Sequence, residues 1–85
     1  MEKMTTAQKT FYTNSYDHLV RSLIAARTKR GWTQRQLAAA AGRDQCFIGR
    51  TETGKRRLDA IEAIDLFRTM GMSRGEILKI MNGLI

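Results

Sequence analysis

The sequence predicts a single all-α domain of five short helices, and three observations carry that expectation. Proline is absent from all 85 residues, so no residue lacks the amide donor that a helix interior needs. Glycines at 31, 42, 54 and 71 divide the chain into segments of helical length. Within those segments apolar residues return at three- and four-residue spacing, and no segment reads as a strand.

Residues 1–13 are polar and unpatterned, which predicts a flexible N-terminal arm. Residues 14–85 then form the domain. Ser15 or Asn14 caps a first helix in which Tyr16, Leu19, Val20, Leu23, Ile24 and Arg27 recur on one side, with Gly31 as a left-handed stop. Thr33 caps a short second helix with Leu37, Ala38 and Ala41 facing inward and Gly42 closing it. The small side chains at 38–41 let another helix cross at close range. Asp44 is the N-cap expected for a third helix over about 45–53, ended by Gly54. A fourth runs over about 58–70 to Gly71. Ser73 and Glu76 form the capping box of a fifth.

Composition narrows what such a domain does. A chain of 85 residues with 42% hydrophobic and 7% aromatic content holds one small core. It carries no serine, histidine and aspartate constellation and no phosphate-binding glycine loop, so an enzyme and a cofactor are not expected. Cys46 and His18 are each the only residue of their type, which leaves no internal disulfide and no metal site to expect. No apolar run approaches the roughly 20 residues that span a bilayer, and the N-terminus lacks a signal peptide's apolar centre. The expectation is a cytoplasmic protein with no membrane partner.

The chain has 15 Lys plus Arg against 8 Asp plus Glu, and a pI near 10.3. Residues 21–57 hold ten of the basic residues and two of the acidic ones, a local net charge of +8, whereas the segments on either side are close to neutral. Concentrated positive charge favours a polyanion. Here it coincides with two short helices around a tight glycine turn, which points to double-stranded DNA. In a helix-turn-helix the first helix lies across the phosphate backbone and the second offers its N-terminal side chains to base edges in the major groove.

The spacing of Arg27, Gly31, Thr33, Gln34, Leu37, Ala38, Gly42, Ile48, Glu52, Gly54 and Arg56 resembles the phage repressor and Cro-type family, also called the XRE family. The resemblance runs from about residue 19 to 81. It implies a five-helix lambda-repressor-like DNA-binding domain with helices 2 and 3 as the helix-turn-helix. It further implies that Gln34 contacts a phosphate and braces the recognition helix, and that Gln45 reads a base edge, with Cys46 and Arg50 on the same exposed side. A glutamine amide pairs in bidentate fashion with adenine, and Arg50 suits guanine. Arg43, Lys55, Arg56 and Arg57 would meet phosphates at the two ends of that helix. In the family pattern Arg27 and Glu52 form a buried ion pair, an architectural role.

Three positions depart from the pattern. Gly49 stands where a polar side chain is usual, which removes one base-reading group and costs the helix up to about 1 kcal/mol of propensity. Thr51 replaces a bulky apolar residue, and Arg43 a Val or Thr, which bears on how the third helix seats. Phe47 either touches a thymine methyl or sugar edge or packs against the N-terminal arm, with packing the preferred reading. Plainer roles fit other conspicuous residues: Trp32 in the core, Met70, Met72 and Met81 as core fill, His18 at the surface, and Cys46 as a groove-facing thiol rather than a redox switch.

The last third bears on assembly. In the fourth helix Asp59, Glu62, Asp65 and Arg68 recur every third position while apolar residues fill the rest, and Ile77, Leu78, Ile80, Met81, Leu84 and Ile85 extend the apolar surface. Leu66, Met70, Ile77, Ile80 and Leu84 are therefore candidates for a homodimer interface; otherwise they simply close the core. A two-fold dimer sets two recognition helices about 34 Å apart and matches an inverted repeat. The expected function is a sequence-specific transcription regulator, a dimeric repressor of bacterial or phage origin. The alternative is a helix-turn-helix-derived interaction module, an antitoxin or antiactivator, that acts through a protein partner.

Overall fold

The computed structural model describes residues 14–85. The arm expected over residues 1–13, with Lys3 and Lys9, lies outside the described residues. Five helices follow one another: α1 (Asn14–Lys29), α2 (Gln34–Ala41), α3 (Gln45–Glu52), α4 (Ala60–Thr69) and α5 (Arg74–Asn82). Among the described residues there is no strand.

Local side-chain chemistry sets most helix starts. The Thr33 hydroxyl accepts from the Gln36 amide at 3.0 Å, and the Gln36 carboxamide accepts from the Thr33 amide at 2.8 Å. Ser73 and Glu76 repeat this reciprocal arrangement before α5, and Asp44 accepts from the Phe47 amide at 3.0 Å before α3. Between α2 and α3 the chain turns within three residues because Gly42 takes φ 71°, a region unfavourable to a side chain.

Two expected boundaries move. Asn14 and Ser15 both lie inside α1, and the Ser15 hydroxyl donates to the Leu84 carbonyl at 2.7 Å, tying α1 to the end of the chain. α4 begins at Ala60, not near residue 58. Asp59 caps it, and the Glu62 carboxylate accepts back from the Asp59 amide at 3.1 Å. Leu58 is left in the preceding loop, buried, with its amide donating to the Tyr16 hydroxyl oxygen at 2.9 Å. Apolar periodicity alone could not separate a buried loop leucine from a first helical turn.

The core forms where α4 meets α1 and α2, with α3 against α1 and α2 and α5 closing over α1. Phe67, Leu23, Leu37 and Ile48 are fully enclosed; burying each such side chain is worth about 1.5–3 kcal/mol. α3 seats through Ile48 and Thr51. The Thr51 hydroxyl donates to the Phe47 carbonyl within the same helix at 2.7 Å, so this departure from the apolar pattern leaves no polar group unsatisfied. Within the alanine run, Ala38 is buried and Ala41 partly so, whereas Ala39 and Ala40 face outward.

Most of the wide apolar arc of α4 is spent inside the chain. Leu66, Met70 and Ile77, three of the residues expected at a dimer interface, are only 2%, 4% and 7% exposed. They cannot be offered to a second molecule, because α4 packs against both α1 and α2 and α5 packs against α1. Ile80 and Leu84 are half-buried against the same core. The large apolar residues that do face outward are Ile61, Leu78 and Ile85.

Candidate nucleic-acid interface

α3 has two unlike sides. Ile48 and Thr51 point into the core, while Gln45, Cys46 and Arg50 are exposed. The eight residues of α3 thus present one polar, uncovered side at the surface of the described chain. Arg43 precedes this helix, and Lys55, Arg56 and Arg57 follow it.

The seat of α3 is built by one guanidinium. Arg27 donates from Nε to Glu52 Oε2 at 2.6 Å and from Nη2 to Glu52 Oε1 at 2.9 Å, while its Nη1 donates to the Trp32 carbonyl at 2.8 Å. Three parts of the molecule meet there: α1, the α1–α2 turn and the last residue of α3. The two side chains are only 13% and 6% exposed, so this is a nearly desolvated pair with all its principal polar atoms engaged. Gln34 completes it, donating from Nε2 to Glu52 Oε1 at 2.9 Å. The carboxamide of Gln34 thereby lies across α3, beside Gly49.

That placement bears on Gly49. A Cβ added at Gly49 would find only the Gln34 carboxamide oxygen within 4 Å, at 3.4 Å, an ordinary contact. Gly49→Ala should therefore stabilise the fold by up to about 1 kcal/mol, the helix-propensity difference, measured by chemical denaturation. A loss of stability would show instead that the Gln34 bridge to Glu52 cannot shift by even a few tenths of an ångström.

The basic residues divide by what they touch. Arg21 pairs with Asp17 at 2.8 Å. Arg30 donates to the Met70 carbonyl at 2.8 Å and stacks 4.3 Å from the centre of the half-buried Trp32 ring, joining the ends of α1 and α4. With Arg27, these side chains account for part of the basic segment's charge by architecture. Arg57 lies 4.4 Å from the centre of the Tyr16 ring, and Arg50 and Lys55 are exposed.

Arg43 and Arg56 form a third arrangement that the sequence did not suggest. Both guanidiniums lie 4.3 Å from the centre of the Phe47 ring. Arg56 also makes a bidentate pair with Glu62, Nη1 to Oε1 at 3.0 Å and Nη2 to Oε2 at 2.7 Å, and Arg43 comes within 3.8 Å of the same carboxylate. Those hydrogen bonds hold the Glu62 carboxyl below the usual carboxylate range, and they raise Arg56 in turn. The arm considered as a partner for Phe47 lies outside the described residues; what the described chain brings to that ring is two cations.

Sequence reasoning missed two residues here. Arg35, exposed in the first turn of α2, reaches Gln45 Oε1 at a long 3.5 Å and so borders the outward side of α3. Its signal was available, a basic residue at the start of the helix expected to cross the backbone. Glu62 was visible only as one member of a three-residue polar period.

Three comparisons with known proteins bear on this geometry. The family model described as helix-turn-helix matches residues 23–77. A solved structure described as an XRE-family like protein from Pseudomonas syringae pv. tomato str. DC3000 is 38% identical, with 91% of this chain and 92% of that one covered and a TM-score of 0.75. No curated protein gives a significant sequence match. No helix among the described residues is long and apolar enough to cross a membrane.

Proposed function

The chain belongs to the XRE-type helix-turn-helix family of DNA-binding regulators, and from that premise we propose that it is a dimeric repressor occupying an inverted-repeat operator. The observation that carries the reading is the uncovered side of α3. Gln45, Cys46 and Arg50 stand exposed on a helix whose other side is anchored in the core, as direct readout in a major groove requires. Gln45 suits adenine, Arg50 suits guanine, and Cys46 offers an apolar edge between them. Arg43, Lys55, Arg56 and Arg57 take phosphates, joined by Arg35 and by Gln34 through whatever capacity its bond to Glu52 leaves.

The second copy docks on the C-terminal surface. Leu78 and Ile85 are 59% and 104% exposed, and with Lys79, Met81 and Asn82 they line a shallow groove of about 460 Å³. This surface replaces Leu66, Met70 and Ile77, which the core has taken. Ile80 and Leu84, half-buried against the core, are not among the residues that line it. A repressor of this kind works on the nucleoid in the cytoplasm of a bacterium, its own or a phage's host.

Sequencing the DNA fragments retained by the purified protein tests the proposal. The expected result is an enriched inverted repeat with half-site centres about 10 bp apart or a multiple of that spacing, and two copies of the chain on each site in sedimentation. Retained DNA with no shared sequence, or one copy per site, would overturn it. Capture of no DNA at all would favour a module that works through a protein partner.

A further inference from the structure

We propose that Glu62, a residue of α4 outside the helix-turn-helix, sets how selectively this protein binds DNA, by holding the Arg43 and Arg56 guanidiniums against Phe47 and offsetting their charge. The inference rests on the reading of Arg43 and Arg56 as phosphate contacts. Its basis is a four-residue cluster brought together from four segments of the chain. Arg43 comes from the α2–α3 turn, Phe47 from α3, Arg56 from the loop after α3, and Glu62 from the first turn of α4.

The geometry has two consequences. Glu62 satisfies both terminal nitrogens of Arg56 and lies near Arg43, so the cluster presents a net charge of one cation where the sequence counts two. A phosphate approaching at an arbitrary register meets a partly neutralised site. The arginines are also fixed: each is stacked on the same ring, and their side chains remain 39% and 35% exposed. A phosphate that arrives where they already point gains contact without ordering long side chains. Glu62 therefore penalises loosely placed DNA more than a duplex held in register by base contacts on α3.

Glu62→Gln isolates this role from folding. Glutamine serves as well as glutamate at the third position of a capping box, so the bond from the Asp59 amide can persist, while the negative charge and the acceptor facing Arg56 Nη2 are removed together. With about one more effective cation, the slope of log K against log salt for a scrambled duplex should steepen by about 0.9. That corresponds to about a threefold to fourfold greater weakening between 50 and 200 mM salt. Non-specific affinity at low salt should rise several-fold, affinity for the enriched operator by less than about twofold, and the ratio of operator to non-specific affinity should fall. In chains carrying Arg43→Gln and Arg56→Gln, the same Glu62→Gln change should have no effect on the slope. A purely structural residue would not show that dependence.

Fluorescence anisotropy with labelled operator and scrambled duplexes reads all of these quantities on the full chain. If the wild type binds and Arg43→Gln and Arg56→Gln flatten the slope, but Glu62→Gln leaves slope and selectivity unchanged, this inference alone fails. If the two arginine variants leave the slope unchanged, the phosphate reading fails and takes the inference with it. A Glu62→Gln chain that does not fold would make the residue structural, and would overturn the inference as well.

Discussion

Arg27→Ala lowers the unfolding free energy by about 3–5 kcal/mol, the range for removing one partner of a buried ion pair. The loss is large because of what remains. Glu52, 6% exposed, would be left with the Gln34 carboxamide at 2.9 Å in place of a cation, and the Trp32 carbonyl would lose its Arg27 donor. For a domain of this size, where total stability is about 5–15 kcal/mol, the variant should sit near the edge of folding. Denaturant unfolding followed by circular dichroism measures the change. The effect belongs to an unpaired charge rather than to a missing attraction, so Arg27→Met combined with Glu52→Leu should recover most of the stability. A single-variant loss below about 1 kcal/mol would mean that the pair behaves as a solvated surface contact.

Arg50→Ala weakens binding to the enriched operator by about 1–3 kcal/mol, roughly five- to 150-fold, the worth of one good bidentate base contact. Gln45→Ala falls in the same range. Both side chains are exposed on α3 and neither lies in the core, so the melting transition should be nearly unmoved. The informative comparison is between operator and scrambled duplexes. Base readout predicts a loss concentrated on the operator, and for Gln45, which carries no charge, almost no change on scrambled DNA. An equal loss on both duplexes would reassign Arg50 to the phosphates, and no loss on either would remove α3 from the interface.

Helix starts were legible in the sequence because caps act within three residues. Thr33 and Asp44 as N-caps and Ser73 with Glu76 as a capping box are local patterns, and each is made in the structure as read, with Gln36 closing a second box on Thr33. Asp59 with Glu62 has the same form, yet it was obscured by Leu58, whose apolar character extended the apparent helix by a turn. Gly42 marks the turn for the same local reason. The inward positions of α2 and α3 followed from helical periodicity, which a short amphipathic helix with one buried side expresses clearly.

The candidate site was legible only in part. The outward positions Gln45, Cys46 and Arg50 follow from the phase of α3, and the structure leaves them exposed. The condition of the cations around them does not follow from phase. Arg30 and Arg56 count equally in the composition, but one bridges α1 to the end of α4 and the other is clamped by Glu62. Phe47 likewise reads as an aromatic out of place on a polar helix. Its two guanidinium partners lie four residues before it and nine after it, too irregular a spacing for any helical pattern to reveal.

By itself the sequence determined that this chain is all-α, where three of its five helices begin, and that a basic helix-turn-helix stands at its centre, because those features arise from interactions between residues a few positions apart. Tertiary structure alone decided which apolar residues of α4 and α5 were consumed by the core and which stayed at the surface. It alone also placed Glu62 between two arginines. An apolar residue is covered or exposed, and a charge is partnered or available, according to what a distant part of the chain brings beside it. That proximity is a property of how helices pack, and no local spacing encodes it.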